Sequence, residues 1–105
     1  MNHRRLDQNQ RLSTLKNKDD EAATLESIGD SYIELGKVNE GIERYQAAFQ
    51  LASQTNNTLF QFTNLLKIGD AYASENRKEE ALAEYKKAKT LEEKIEALKK
   101  AEGGN

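Results

Sequence analysis

The sequence predicts an all-α protein in which antiparallel helix pairs stack one on the next, as an α-solenoid or helical bundle of about five helices. Three observations carry this. The stretch IGDSY at Ile28–Tyr32 returns as IGDAY at Ile68–Tyr72, 40 positions later, and the echo extends well past those letters. Leu25 matches Leu65, Glu40 matches Glu80, Ile42 matches Leu82, Tyr45 matches Tyr85 and Ala48 matches Ala88. Self-similarity at a fixed period of about 20–50 residues marks units that bury their apolar faces on one another. Apolar residues also recur at helical spacing, while alternation with period two is nowhere sustained. Finally, proline is absent, so Gly, Asn and charged residues must punctuate the chain.

Each element follows from its own residues. Leu25, Ile28, Gly29, Tyr32 and Ile33 form an apolar stripe that predicts a helix over 19–35. Asp19 and Asp20 are suited to its first turn, where side-chain carboxylates accept from free amides and meet the positive end of the dipole. Gly36 closes this helix by taking positive φ. Asn39 is expected to open a second helix, over 39–54, whose stripe is Gly41, Ile42, Tyr45, Ala48, Phe49 and Ala52. The polar run SQTNNT at Ser53–Thr58 breaks the pattern with two turn-prone asparagines. Phe62, Leu65, Leu66, Gly69, Tyr72 and Ala73 then predict a helix over 57–75, ended by Asn76. Glu79 and Glu80 begin a fourth helix over 78–101, and Leu91, Ile95 and Leu98 continue its stripe without interruption. Leu6, Leu12 and Leu15 lie among polar residues and are compatible with a weak helix near 4–16 or a disordered arm. The predicted organisation is an arm over 1–18, one domain over 19–102 with repeats at about 22–56 and 62–96, and a disordered tail at 103–105.

Composition limits the function. The 105 residues carry a net charge of -2 with both signs interspersed, so the basic footprint of a nucleic-acid binder is missing, and His3-Arg4-Arg5 is too short to supply one. Without cysteine there is neither a disulfide framework nor a thiolate metal site. No apolar run of transmembrane length and no signal-peptide pattern occurs, and the expected location is cytoplasmic, away from membrane. Catalysis is not expected: there is no cysteine nucleophile, His3 stands alone, and no glycine-rich phosphate loop follows a strand. Glu92, Glu93 and Glu96 read as a solvated helix face. No cofactor or metal is expected. Asn56-Asn57-Thr58 fits a glycosylation acceptor in form only.

Taken together, Leu25, Ile28-Gly29, Tyr32, Gly36, Gly41-Ile42, Tyr45 and Ala48 resemble the tetratricopeptide repeat pattern. Leu65, Ile68-Gly69, Tyr72, Ala81-Leu82, Tyr85 and Ala88 resemble a second copy. The resemblance covers about residues 22–92. It departs from the family in its period, 40 residues rather than about 34, and in lacking the proline that commonly ends a unit. The small Gly29, Gly41, Gly69 and Ala81 would let helices approach closely, with the four tyrosines as core. The resemblance implies a protein-protein interaction module whose first helices line a concave groove for a peptide. On it, Ala23, Glu26, Asp30, Ile33 and Glu34 from the first repeat and Thr63, Leu66, Asp70, Ala73 and Ser74 from the second would face the ligand. One branch of the family clamps carboxylate tails with lysine and asparagine. Here Glu26, Leu66 and the pairs Gly29-Asp30 and Gly69-Asp70 stand at those places. With no compensating donor identified, a carboxylate ligand would be repelled, and a basic or apolar segment is expected instead.

Two other readings come from the chain itself. Asn plus Gln number 14 in residues 1–76, against Asn105 alone beyond them, and Ser plus Thr number 10 against Thr90 alone. The last 29 residues are filled with strong helix formers, which fits an engineered protein assembled from natural helical pieces, with no biological ligand. Alternatively, the stripe Leu91, Ile95, Leu98 could pair with a second chain, giving a weak homodimer instead of a monomer.

Overall fold

The computed structural model describes residues 8–103. Among them four α-helices follow in order: α1 Gln8–Glu34, α2 Val38–Gln54, α3 Thr58–Ser74 and α4 Lys78–Glu102. Four helices replace the expected five because residues 8–18 are not a separate element: they run directly into the first repeat helix, making α1 27 residues long. Asp19 and Asp20 therefore cap nothing. Asp19 accepts a hydrogen bond from the Thr55 hydroxyl at 2.8 Å and Asp20 meets Lys16 at 3.4 Å one turn back. A break would have required a glycine, a proline or a competing turn, and the sequence before Asp19 contains none. His3, Arg4, Arg5 and Leu6, and the tail residues Gly104 and Asn105, lie outside the described residues.

The three turns share one chemistry. Gly36, Asn56 and Asn76 all take positive φ, at 79°, 56° and 62°. After α1 the amide of Lys37 donates to the Tyr32 carbonyl and that of Gly36 to Ile33, both at 2.9 Å. The same two bonds recur as Asn57 to Ala52 with Asn56 to Ser53, and as Arg77 to Tyr72 with Asn76 to Ala73. These are Schellman closures, in which a left-handed residue lets the last carbonyls find donors. Asparagine tolerates that conformation better than other non-glycine residues. At the starts, Asn57 caps α3, its side chain accepting from the Phe60 amide at 3.0 Å. Asn39 does not open α2, which begins at Val38 after an uncapped Lys37.

Each helix packs on the next: α1 on α2, α2 on α3, α3 on α4. The core joins the two pairs through Ile42, Tyr45, Ile68 and Ala71, flanked by Ile33, Val38 and Tyr72. Burying an aliphatic side chain of this size contributes about 1.5–3 kcal/mol. Close approach within a pair depends on glycine. A Cβ at Gly29 would stand 2.7 Å from the Tyr45 ring, and one at Gly69 would stand 2.5 Å from the Tyr85 ring. Both pairs therefore seat a tyrosine of the second helix against a glycine of the first. At one end of the molecule the outer helices overhang their partners. Residues 8–17 of α1 precede Lys18, which donates to Gln54 at the last residue of α2, while α4, of 25 residues, is longer than α3, of 17. No described helix is long and apolar enough to cross a membrane.

Candidate functional site

The expected ligand-facing residues of the two repeats lie on α1 and α3, and the structure gives them a partner that the sequence reading missed. Lys67 of α3 reaches across to α1, its ammonium 2.7 Å from Glu26 and 2.9 Å from Asp30. The same ammonium lies 5.7 Å from the centre of the Tyr45 ring, and the Tyr45 hydroxyl donates to Asp30. The expectation that Glu26 and Asp30 stand without a compensating donor is overturned. Three helices meet in this network, with Glu26 and Asp30 on α1, Tyr45 on α2 and Lys67 on α3. Beneath it Asn64 is fully buried, donating to Glu26 at 3.3 Å and to the Phe60 carbonyl at 3.0 Å, while its own Oδ1 has no partner.

The network sets the local proton affinities. Burial pushes the Asp30 carboxyl up, but hydrogen bonds from Tyr45 and Lys67 outweigh it and hold the group below its ordinary value of 3.8. Burial pulls Lys67 down, and its two carboxylate partners more than reverse this, so it is held above 10.5. Burial and the bond to Asp30 both push the Tyr45 phenol far above its ordinary 10.0. At neutral pH the network is a fixed cation between two anions, with a phenol that stays protonated.

The second repeat repeats half of this arrangement. The Tyr85 hydroxyl donates to Asp70 at 2.5 Å, with the same separation of 15 residues as Tyr45 and Asp30. Among the described residues no lysine or arginine pairs with Asp70, and Leu66 occupies the place corresponding to Glu26. A shallow hollow lined by Asp30, Ile33, Tyr45, Lys67, Asp70 and Ser74 connects the two carboxylates. Glu34, Asp70, Ala73 and Ser74 are exposed, whereas Glu26, Ile33, Thr63 and Leu66 are half-buried. Tyr45 is core, yet its hydroxyl belongs to this polar network, while Tyr32 and Tyr72 carry the guanidinium groups of Arg44 and Arg77 on their rings.

Lys67 was legible in principle. It stands four residues after Thr63 and three before Asp70, so helical spacing alone places it on their side of α3. The internal repeat masked it, because its counterpart in α1 is Ser27; Asn64 was hidden in the same way, opposite Thr24. The residues expected to self-associate divide: Leu91 and Ile95 are half-buried, while Leu98 is 53% exposed. Among the described residues no group of three potential metal ligands converges.

Comparison with known proteins agrees with the geometry. No curated protein and no solved structure matched the chain. A family model described as tetratricopeptide repeat matches residues 20–94, from within α1 to within α4, a span that contains both Asp–Tyr pairs. The match covers well over half of the chain, the helices stack in repeated pairs, and the chain belongs to the tetratricopeptide repeat family.

Proposed function

We propose that the chain is a noncatalytic interaction module whose α1 and α3 face takes a basic or apolar segment of a partner protein. Tetratricopeptide repeats generally bind proteins, and the observation that supports the finer reading is a charge imbalance. Glu26, Asp30, Glu34 and Asp70 set four carboxylates against Lys67, which Glu26 and Asp30 already hold. An acidic peptide tail would find carboxylates without a free cation, whereas an arginine or lysine would find Asp70 and Glu34 exposed. Ile33 lines the same hollow as Asp30 and Asp70 and offers an apolar contact. The test is fluorescence anisotropy with a labelled peptide of alternating arginine and leucine. Binding should weaken several-fold in Asp70→Asn and fall with added salt, and a glutamate-leucine peptide should not bind. Binding that survives both Asp30→Asn and Asp70→Asn unchanged would overturn the reading.

A second reading, self-association, is favoured by one observation. Leu12, Leu15, Leu59 and Leu98 are all exposed, and all lie at the end where α1 and α4 overhang. Exposed leucines at one end of a stack offer apolar surface for contact with a second copy. Light scattering over a wide concentration range decides it, and a monomer throughout would rule it out.

A further inference from the structure

The first repeat contains a filled cation site, and the second keeps its Asp–Tyr half, with Leu66 in the place of Glu26. Glu26 and Asp30 hold the ammonium of Lys67, with Asp30 also accepting from the Tyr45 hydroxyl, and the residue after it, Ile68, is buried in the cluster with Ile42 and Tyr45. Forty residues on, Asp70 and Tyr85 are joined by the same hydrogen bond and Leu82 stands in the place of Ile42. No helix of the described chain covers them. Ile42 is 4% exposed and Leu82 is 56% exposed, a difference that measures what α3 does for the first pair and what nothing does for the second.

We propose that the face around Asp70, Leu82 and Tyr85 docks a short helix of a partner protein that presents a lysine followed by an aliphatic residue, as α3 presents Lys67-Ile68 to the first repeat. The inference rests on the reading of the chain as an interaction module. Two observations select this occupant. A further repeat of the same kind does not fit, because Val38 and Ala52, which lie at the α2–α3 junction, are replaced at the corresponding positions of α4 by Lys78 and Glu92. The apolar centre is thus short and bounded by charge. A second copy stacking through its own α1 does not fit either, since the positions corresponding to Lys67-Ile68 are Ser27-Ile28, which bring no cation to Asp70. The charge complementarity is specific: one carboxylate, oriented by a phenol, awaits one ammonium.

The probe is a synthetic peptide with the sequence of residues 63–74, TNLLKIGDAYAS, held helical by a hydrocarbon link on its outward face, titrated into the full chain by calorimetry. The expected result is saturable binding that weakens about tenfold when the peptide lysine is replaced by methionine. The same loss should appear in Asp70→Asn, and binding should vanish in Leu82→Glu. Asp70 and Leu82 are both exposed, so these variants keep the fold. Leu82 lies on α4, outside the α1 and α3 face, which separates this inference from the previous one. If the arginine-leucine peptide binds while the helical peptide does not, or if Leu82→Glu leaves helical-peptide binding intact, the helix-docking inference fails and the groove reading stands. Equal affinity for the lysine and methionine peptides would also overturn it.

Discussion

The two repeats are built from nearly the same letters and are worth different amounts. In the first, Tyr45 is 3% exposed, sealed by α3, and its hydroxyl joins a three-helix network with Asp30 and Lys67. In the second, Tyr85 makes the same bond to Asp70 but stands half-exposed at the edge of the stack. Local sequence makes the hairpin, glycine against tyrosine, in both cases. The energy a residue contributes depends on the helix that covers it, which the repeat itself does not encode. This is the nearest-neighbour logic of stacked repeats, in which each interface adds its own term.

Several substitutions sharpen that contrast, read by chemical denaturation. The largest effect belongs to Tyr45→Ala, which empties a sealed core position and should cost about 3–5 kcal/mol. Tyr85→Ala should cost about 1–2 kcal/mol, because less apolar area is lost there. Equal costs would mean that the cover by α3 is unimportant. Next comes Lys67→Met, which strands two carboxylates. Asp30 keeps 44% of its side chain exposed, so the expected loss is about 1–2 kcal/mol, short of the 3–5 kcal/mol typical of a fully buried pair. Asp70→Asn, with no cation to lose, should stay within about 0.5 kcal/mol. The smallest effect is at Asn64, whose Oδ1 is buried without a partner. Asn64→Leu should be close to neutral, since removal of an unsatisfied acceptor at similar volume offsets the loss of the bonds donated to Glu26 and the Phe60 carbonyl.

The same network predicts a pH profile. Asp30 is held below 3.8, so its contribution is present above that value and is lost as pH falls through its lower folded-state value. Lys67 and Tyr45 are both held above their ordinary values of 10.5 and 10.0. Their contributions are complete below about pH 10 and disappear as pH rises past it. Asp30→Asn should flatten the acid limb of stability against pH. An unchanged acid limb would show that other carboxylates govern it.

Much of the fold was legible because its signals are local. Gly36, Asn56 and Asn76 each mark a turn that the structure closes in the same way, and the 40-residue echo gives the pairing of helices. The start of α1 was misread because Asp19-Asp20 looks like a helix beginning, while the stripe of Leu12 and Leu15 is too sparse to reveal that the helix is already under way. The carboxylates Glu26, Asp30 and Asp70 were picked out from the repeat resemblance, and the structure sets Glu26 and Asp30 around one ammonium, with Asp70 lining the same shallow hollow as Asp30. Their partner was not picked out, since Lys67 joins residues 37 and 41 positions away and has no counterpart in the other repeat. Repeat matching finds what the units share. The Lys67 network is something only their junction has.

The most direct test of the central claim, that the acidic α1 and α3 face is the ligand-binding surface, is an amide and side-chain NMR titration of the full chain with the arginine-leucine peptide. Shifts should concentrate at Asp30, Ile33, Glu34, Asp70 and Ala73 and diminish at higher salt. Shifts confined to the overhanging ends of α1 and α4, or spread without preference over the surface, would contradict it.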